Sequence, residues 1–348
     1  MNRGQHWGVR KLKRLSQALL LASVSLVAIT GVGLASIGLR AMPQPDRSWE
    51  SYYGVTILPS GRAVVVGDKG VVMTSDDGGK TWARQTLKKG WKYYDLYSVA
   101  FAPDGSHGWA VGDAAVIFRS DDQGLTWVEQ PGPAGLNSAL LKIAVADSRR
   151  FCASGEHGVL LCTTDAGASW KLQRFHDFAL FDIVYSDPKN IWAVGEFATV
   201  LHSGDDGQTW QVRNGGEIGK GDPLFSIAFS GNQGLAVGLI GTSLQTNDGG
   251  KTWQEHELAN GHRSLYTVTS VPSQAGEFYA GGEQGLAALI EDGAVTPVVT
   301  GVADAIAASA FSSRFAMATG LSGTLLRSDD GGRHWHSLVN KPLLTQAQ

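Results

Sequence analysis

Carboxylates recur through this sequence at a fixed position of a short motif, and two converging carboxylates could catalyse glycoside hydrolysis as acid and base. The motif reads Ser or Thr, any residue, Asp, any residue, Gly, any residue, usually Thr or Ser, and Trp, as in SDDGGKTW at 75–82. Its aspartates are Asp77, Asp122, Asp165, Asp205, Asp248 and Asp330, and its tryptophans are Trp82, Trp127, Trp170, Trp210, Trp253 and Trp335.

Local chemistry explains each part of this motif without a ligand. The aspartate can accept hydrogen bonds from backbone N–H groups of its own turn. The glycine supplies a positive φ at no steric cost. The tryptophan begins the next strand and covers the hairpin with a large apolar surface. We therefore predict that these aspartates and tryptophans are structural and not catalytic.

The spacing of the motif indicates a repeat. Successive tryptophans lie 45, 43, 40 and 43 residues apart, and the last interval is 82 residues. The last interval spans about two periods, so one copy is missing near residue 296, where the chain reads LIEDGAVTPV. A period of 40–45 residues is typical of propeller blades.

A second repeat, here called the glycine turn, gives the same count. Apolar runs that end in such a turn occur seven times, beginning with VVVGDKGVV at 64 and WAVGDAAVI at 109. Each follows another short apolar run such as LYSVAF or LFDIVY, so a unit contains four strands. The pattern predicts an all-β fold, a seven-bladed β-propeller of four-stranded blades over residues 49–340. The ring either closes with blade one beginning near Trp49, or residues 46–51 add a strand to the last blade.

The repeat also supports a resemblance. The eight-residue motif is the Asp-box, which sialidases and other glycosidases also carry. The fuller pattern of WAVG-like run, glycine turn, hydrophobic strand and Asp-box, repeated over about 290 residues, resembles the photosystem II assembly/stability factor family of propellers and its relatives in non-photosynthetic bacteria. The resemblance implies an assembly function and a protein partner, since the fold itself leaves activity open.

The N-terminus differs from the repeats. Residues 1–14 form a basic tail, residues 15–39 carry no charge, residues 40–48 form a linker, and residues 341–348 form a C-terminal tail. A helix over 15–39 would be about 37 Å long, enough to cross a bilayer core of about 30 Å. The basic tail predicts a single-pass anchor in the inner membrane with the propeller on the periplasmic or lumenal side. The rival interpretation is a signal peptide cleaved after GLA at 33–35, which would release a periplasmic or secreted protein.

Enzymatic interpretations find little support in the residues. A sialidase needs clustered arginines and usually carries an Arg-Ile-Pro motif, but the arginines here are scattered and that motif does not occur. We find no phosphate loop, Ser-His-Asp motif or CxxC pair, and expect no metal, cofactor or small-molecule substrate. The net charge of −3 gives no basic surface for nucleic acid. A periplasmic glycan-binding or glycosidase-like protein remains the alternative.

Cys152 and Cys162 flank the third glycine turn, and an exported domain could oxidise them. If the turn is a two-residue hairpin, Cys152 opposes Leu161 and Cys162 points to the other face. A longer or bulged loop would reverse this. We expect two small buried side chains in preference to a disulfide.

The predicted topology places the glycine turns and the blade-to-blade crossings on one face, opposite the Asp-boxes. Five acids occupy an equivalent position in the turns, and the crossings KKGWKYYDLY at 88 and RFHDF at 174 are aromatic. Exposed aromatic side chains with polar surroundings often anchor interfaces. The candidate partner-binding residues are Asp68, Trp91, Tyr93, Tyr94, Asp113, Glu156, Phe175, His176, Glu196 and Glu283.

These observations predict a non-catalytic, membrane-tethered propeller that assembles or supports a membrane protein complex. The resemblance implies a photosystem II subunit or its precursor as the partner in a phototroph. In other bacteria it implies another envelope complex, such as an exporter.

Overall fold

The computed structural model describes residues 50–213, 221–256, 258 and 262–339, and these residues form a β-propeller. Their strands make seven antiparallel sheets of four strands each, with consecutive strands paired in every sheet. The predicted all-β class and blade count are confirmed. Among the described residues, no helix is long and apolar enough to cross a membrane, and the predicted anchor at 15–39 lies outside them.

The first strand of each blade packs against the first strands of its two neighbours, so these strands surround the central channel. They are β1 (Tyr52–Ile57), β5 (Leu96–Phe101), β9 (Leu140–Val145), β13 (Leu180–Tyr185), β17 (Leu224–Ser230), β21 (Leu265–Ser270) and β25 (Ile306–Phe311). The second strands are β2 (Ala63–Gly67), β6 (Gly108–Gly112), β10 (Phe151–Gly155), β14 (Ile191–Gly195), β18 (Gln233–Gly238), β22 (Glu277–Gly282) and β26 (Ala316–Gly320). The second strands are almost completely buried because sheets cover both of their faces.

The third and fourth strands form the outer part of each blade. The third strands are β3 (Val71–Ser75), β7 (Ile117–Ser120), β11 (Val159–Thr163), β15 (Val200–Ser203), β19 (Ser243–Thr246), β23 (Ala287–Glu291) and β27 (Leu325–Ser328). The fourth strands are β4 (Ala83–Thr86), β8 (Val128–Glu129), β12 (Lys171–Arg174), β16 (Gln211–Val212), β20 (Gln254–Glu255), β24 (Ala294–Val298) and β28 (His336–Ser337). Several fourth strands are two residues long and exposed, which leaves only a short sheet edge for unwanted pairing.

Apolar side chains from adjacent blades pack between them and hold the ring together. The junction of the last and first blades buries Tyr52, Met73 and Met317 almost completely. On the same junction the Arg327 guanidinium donates to the backbone oxygen of Gly78. Blade seven takes its four strands from its own consecutive residues 306–337. Residues 50 and 51 form no strand of this sheet, and the rest of the predicted added strand at 46–51 lies outside the described residues.

The glycine turns are short 3₁₀ turns with a left-handed central residue. They are Asp68–Gly70, Asp113–Ala115, Glu156–Gly158, Glu196–Ala198, Leu239–Gly241 and Glu283–Gly285, and residues 321–323 form the seventh. The central φ is 53° at Lys69 and 56° at His157, and the third residue is also left-handed. Glycine fits this third position because it pays no steric penalty there.

The sixth blade lacks an Asp-box, as its sequence predicts. Its third and fourth strands, β23 and β24, pair from Glu291 opposite Ala294 through a two-residue turn. Asp292 and Gly293 occupy that turn with φ values of 47° and 81°. An Asp-Gly pair with two positive φ values is the usual tight hairpin connection, so it replaces the longer box.

The prediction for the cysteines is wrong. Cys152 and Cys162 face each other across β10 and β11 and form a disulfide with a Cα–Cα distance of 4.1 Å. The connecting turn, Glu156–Gly158, contains three residues instead of two. The additional residue shifts the register by one position and brings both sulfurs to the same side of the sheet.

Candidate functional site

The antiparallel order of each blade separates the loops onto two faces. The glycine turns and the crossings between blades share one face, here called the turn face. The Asp-boxes lie on the opposite face, here called the box face. Contacts join the turns to the crossings: the Lys69 N–H donates to Asp95 Oδ1 at 2.7 Å, and the Phe175 N–H donates to the Gly158 oxygen at 2.8 Å.

The Asp-box carboxylates are occupied by their own turns. Asp122 Oδ1 accepts the backbone N–H of Thr126 at 2.8 Å and the hydroxyl of Ser120 at 2.9 Å, and its Oδ2 accepts the Thr126 hydroxyl at 2.5 Å. The same bonds recur at Asp77, Asp165, Asp205 and Asp248, and a histidine replaces the Thr or Ser partner at Asp330. In three boxes, those of Trp82, Trp127 and Trp335, the indole N–H donates to the glycine oxygen of the same box.

These bonds stabilise the ionised form of the box aspartates. Hydrogen bonds from Ser169 hold the pKa of Asp165 at about 2, and those from Thr209 hold the pKa of Asp205 at about 2. At Asp77, burial works to raise the pKa, but hydrogen bonds from Thr81 outweigh it and set the value at about 2. A general acid must keep its proton near neutral pH, so a carboxyl with so low a pKa is unsuited to that function.

The five acids at the equivalent position of the glycine turns also accept hydrogen bonds from backbone N–H groups. Asp68 is 6% exposed because its carboxylate accepts the Ser51 N–H at 2.7 Å and the Tyr53 hydroxyl at 2.6 Å. The equivalent acids, which are half-buried, accept backbone N–H groups where the first strand of the same blade begins, and they are Asp113, Glu156, Glu196 and Glu283. These carboxylates therefore tie each glycine turn to the first strand of its blade.

An additional carboxylate lies between the first two of these turns. Asp95 lies in the crossing from the first blade to the second and accepts a hydrogen bond from the Lys69 N–H. Burial raises the pKa of Asp95, and the nearby charges of Asp68 and Asp113 raise it further. The ionised form of this carboxyl is therefore less favourable than that of the box aspartates, although both accept backbone hydrogen bonds.

Aromatic side chains surround the channel at its turn-face end. Among the described first strands, the second residue is aromatic in five of seven blades, and we call these residues the aromatic girdle: Tyr53, Tyr97, Phe181, Phe225 and Tyr266. Neighbouring rings contact each other, with centroids 5.6 Å apart for Tyr53 and Tyr97 and 5.3 Å apart for Phe181 and Phe225. All five are half-buried, so part of each side chain stays accessible at the turn-face end of the first strands.

Sequence reasoning missed the aromatic girdle, although a signal was present. The runs LYSVAF, LFDIVY and LFSIAF each carry an aromatic residue directly after their first apolar residue. A β-bulge at this position in each blade turns the side chain away from the interblade core, as the shift between Leu96 and Ser98 illustrates. The bulge cannot be read from alternation alone, so the orientation of these rings required the structure.

Polar side chains deeper in the channel form hydrogen bonds between neighbouring first strands. Asp182 is 3% exposed and accepts the Ile227 N–H at 3.0 Å and the Ser226 hydroxyl at 2.7 Å, both from the next blade. Ser226 in turn accepts the Val268 N–H at 3.1 Å. These side chains satisfy backbone groups at the inner edges of the fifth and sixth sheets, which have no further strand to pair with.

Trp91 is the most exposed of the predicted aromatic candidates. It lies in the crossing between the first two blades with 82% of its surface exposed, and Tyr93 is 53% exposed. Lys88 lies 5.4 Å from the Tyr93 ring centroid, and Lys92 lies 5.2 Å from the Trp91 centroid. Tyr94, by contrast, is half-buried and packs against the core between these blades.

The second aromatic crossing forms a separate cluster. His176 stacks on Phe178 with ring centroids 5.3 Å apart, and Phe175 contacts the His176 ring at 4.7 Å. Phe178 also contacts Phe197, the central residue of the next glycine turn, at 5.4 Å. His176 is exposed and the phenylalanines are half-buried, so the structure brings these predicted candidates together on the turn face.

The other end of the molecule has a cleft of about 300 Å³ where the first strands of blades one, two and seven end. Its lining includes Phe101, Phe311 and Arg314, and it contains no carboxylate among the described residues. This cleft therefore offers no acid pair for glycoside hydrolysis. Within the described part of the chain, no group of three His, Cys, Asp or Glu residues is arranged to hold a metal ion.

The model of the family described as Photosynthesis system II assembly factor YCF48 matches residues 50–173 and 217–343, which together span both halves of the propeller. No curated protein sequence matches the chain.

Solved structures share the propeller at low sequence identity. The structure of YCF48 bound to a D1 peptide is 20% identical with a TM-score of 0.67, and the match covers 84% of this chain and 97% of that one. YCF48 from Cyanidioschyzon merolae is 18% identical with a TM-score of 0.56, covering 70% and 84%. A chain of the mitotic checkpoint complex is 11% identical with a TM-score of 0.63, covering 89% and 100%. Because proteins of different function share the architecture, these likenesses show the fold alone.

Proposed function

This chain belongs to the family of photosystem II assembly factor YCF48, and we propose that it is a non-catalytic assembly or stability factor whose turn face binds a membrane-protein subunit. The family match over both halves of the propeller carries this proposal. The solved relative is bound to a peptide of D1, which supports a peptide segment as the kind of ligand. A rigid ring that displays loops suits the holding of a partner.

The aromatic girdle and the crossing at 174–178 are the proposed contact surface. Half-exposed rings at a channel mouth offer flat apolar surfaces on which side chains of a peptide stack. The candidates Phe175 and His176 lie at the rim of the same face and extend it outward. The turn acids, such as Glu196, contribute negative charge at the rim while they hold the backbone.

In this proposal the protein is a membrane-tethered propeller. Residues 15–39 anchor the chain in the inner membrane, and the propeller stands on the periplasmic or lumenal side. Cleavage of that segment as a signal peptide would instead give a soluble periplasmic or secreted form. In a phototroph the partner is a photosystem II subunit or its precursor. In another bacterium it is a different envelope complex, such as an exporter.

A crosslinking pull-down from membranes tests this proposal. We expect Phe181→Ala with Phe225→Ala to reduce the recovery of membrane-protein subunits at least several-fold, because two adjacent rings of the girdle are removed. Leu125→Ala is the matched control, since Leu125 is 51% exposed on the box face. Both forms must keep the wild-type melting temperature within a few degrees.

Normal recovery with the double variant would remove the girdle from the binding surface. Recovery of no membrane-protein subunit by the wild type, together with specific binding on a glycan panel, would favour the glycan-binding alternative. Hydrolysis of a panel glycan by the purified chain would contradict the non-catalytic assignment.

A further inference from the structure

We propose that the Trp91 turn, residues 88–93, docks on an anionic lipid surface and holds the turn face against the membrane. This proposal rests on the membrane tether proposed above. It assigns the outermost part of the turn face to lipid, and it leaves the aromatic girdle to the protein partner.

The turn is built to project a tryptophan. Lys89 and Lys92 exchange two backbone hydrogen bonds of 3.1 and 3.2 Å, which close a tight turn with Gly90 and Trp91 at its tip. Gly90 has a φ of 61°, and a methyl group at its Cβ position would meet no atom within 4 Å. The indole is therefore held on a short, hydrogen-bonded projection that stands clear of the propeller.

The residue types fit the interface of a bilayer. Tryptophan and tyrosine concentrate at the level of the lipid headgroups, and lysine is attracted to anionic lipids. Lys88 and Lys92 form no ion pair with any described carboxylate, and each instead lies over a ring of the turn. Lys89 alone is paired, with Glu129 at 2.9 Å.

The same composition fits a protein interface less well. Lysine is depleted in protein–protein contacts, where a tryptophan anchor normally enters a desolvated pocket of its partner. The ammonium groups on both sides of this convex tip can stay hydrated in the headgroup region of a bilayer. There they can also pair with the lipid phosphates.

The face on which the chain enters the propeller also supports a lipid surface as the partner of the Trp91 turn. The first strand begins at Tyr52 on the turn face, and the Ser51 oxygen accepts the Asp68 N–H of the first glycine turn at 3.0 Å. The described chain therefore enters the propeller on the turn face. The apolar segment 15–39 precedes this point by a short linker. A tether attached here would keep the turn face, and Trp91 with it, near the bilayer.

Tryptophan quenching by brominated lipid tests the docking. The full chain is reconstituted into vesicles of phosphatidylcholine with brominated phosphatidylglycerol, and the quenched emission is compared between wild type and Trp91→Phe. The chain has 11 tryptophans, so the emission of Trp91 is isolated as the difference between the two forms. Trp127→Phe, on the box face, is the matched control for the removal of one tryptophan.

We expect the quenched emission to fall in Trp91→Phe and to stay unchanged in Trp127→Phe. Lys88→Gln with Lys92→Gln should reduce the quenching of Trp91, as should high salt, because both weaken the attraction to the headgroups. Equal quenching in wild type and Trp91→Phe would overturn the proposal. So would quenching that is unchanged when brominated phosphatidylcholine replaces the anionic lipid.

The membrane pull-down separates this proposal from the proposed function. Loss of subunit recovery by Trp91→Phe, without any difference in lipid quenching, would make the turn a protein contact and refute lipid docking. Loss of quenching with normal recovery would support lipid docking. If only the girdle variant Phe181→Ala with Phe225→Ala fails the pull-down test, the partner assignment stands by itself.

Discussion

Replacement of one box aspartate measures how much this motif contributes to the propeller. Asp122→Ala removes three acceptor contacts, to the Thr126 N–H, the Thr126 hydroxyl and the Ser120 hydroxyl. Each donor lies in the same turn, so the substitution loosens the connection between β7 and β8 without leaving a cavity. Asp121→Ala next to it is the control, because Asp121 pairs only at the surface with Arg119 and His107.

The size of the effect follows from these contacts. A hydrogen bond in a folded protein contributes about 1 kcal/mol net, and exposed donors regain water when the acceptor is lost. Three bonds to a half-buried carboxylate therefore amount to about 1–2 kcal/mol after screening. For a domain of this size the melting temperature should fall by about 2–4 °C. The exposed ion pair of the control contributes about 0–1 kcal/mol.

The effect should also depend on pH. Burial works to raise the pKa of Asp122, but hydrogen bonds from Thr126 and Ser120 lower it below its ordinary value. A carboxyl with a lowered folded pKa stabilises the protein above its unfolded pKa of about 4, and the contribution disappears as the pH falls through the folded pKa.

Thermal unfolding of the wild type and both variants, followed by tryptophan fluorescence at neutral and at acidic pH, measures these differences. An Asp122→Ala variant that melts with the wild type at neutral pH would refute the structural assignment of the box. A deficit in stability that grows toward acidic pH would refute the pKa argument.

Three further results are expected. Cys152→Ala with Cys162→Ala should lower the free energy of unfolding by about 3 kcal/mol, because the disulfide closes a loop of about ten residues; urea unfolding measures this, and reductant on the wild type should reproduce it. Asp95→Asn should raise the free energy of unfolding near neutral pH and have little effect on it at about pH 3. The reason is that a carboxyl with a raised folded pKa destabilises the protein only above its unfolded pKa. Equal gains at both pH values would contradict this. Asp182→Ala should lower the free energy of unfolding by about 3 kcal/mol, because the buried N–H of Ile227 loses its acceptor. A calorimetric melting temperature equal to that of the wild type would contradict the claim that Asp182 connects neighbouring first strands.

Local patterns predicted the propeller because residues close together in the sequence determine the turns and strands of each blade. The Asp-box fixes the connection of the third and fourth strands through Asp, Gly and Trp, whose properties act within eight residues. Even the missing sixth box could be inferred from spacing, and an Asp-Gly pair at 292–293 marks the turn that replaces it. Such features need no information from distant parts of the chain.

Features that depend on one residue of register were not predictable. The disulfide between Cys152 and Cys162 depends on a three-residue turn, whereas a two-residue turn would separate the sulfurs. The inward position of Asp68 depends on donors from Ser51 and Tyr53, which only the folded blade brings together. The aromatic girdle requires both the bulge and the circular order of seven blades, and a linear sequence shows neither.

Site-specific photocrosslinking from the girdle shows which face of the propeller contacts the membrane-protein subunit. A photoreactive phenylalanine analogue replaces Phe225 in the membrane-bound full chain, and a second form carries it at Leu125 on the box face. We expect light to couple the Phe225 form to a peptide segment of a membrane-protein subunit, and we expect no such product from the Leu125 form. Equal coupling from both positions, or coupling of the subunit from Leu125 alone, would contradict the claim that the turn face binds the partner.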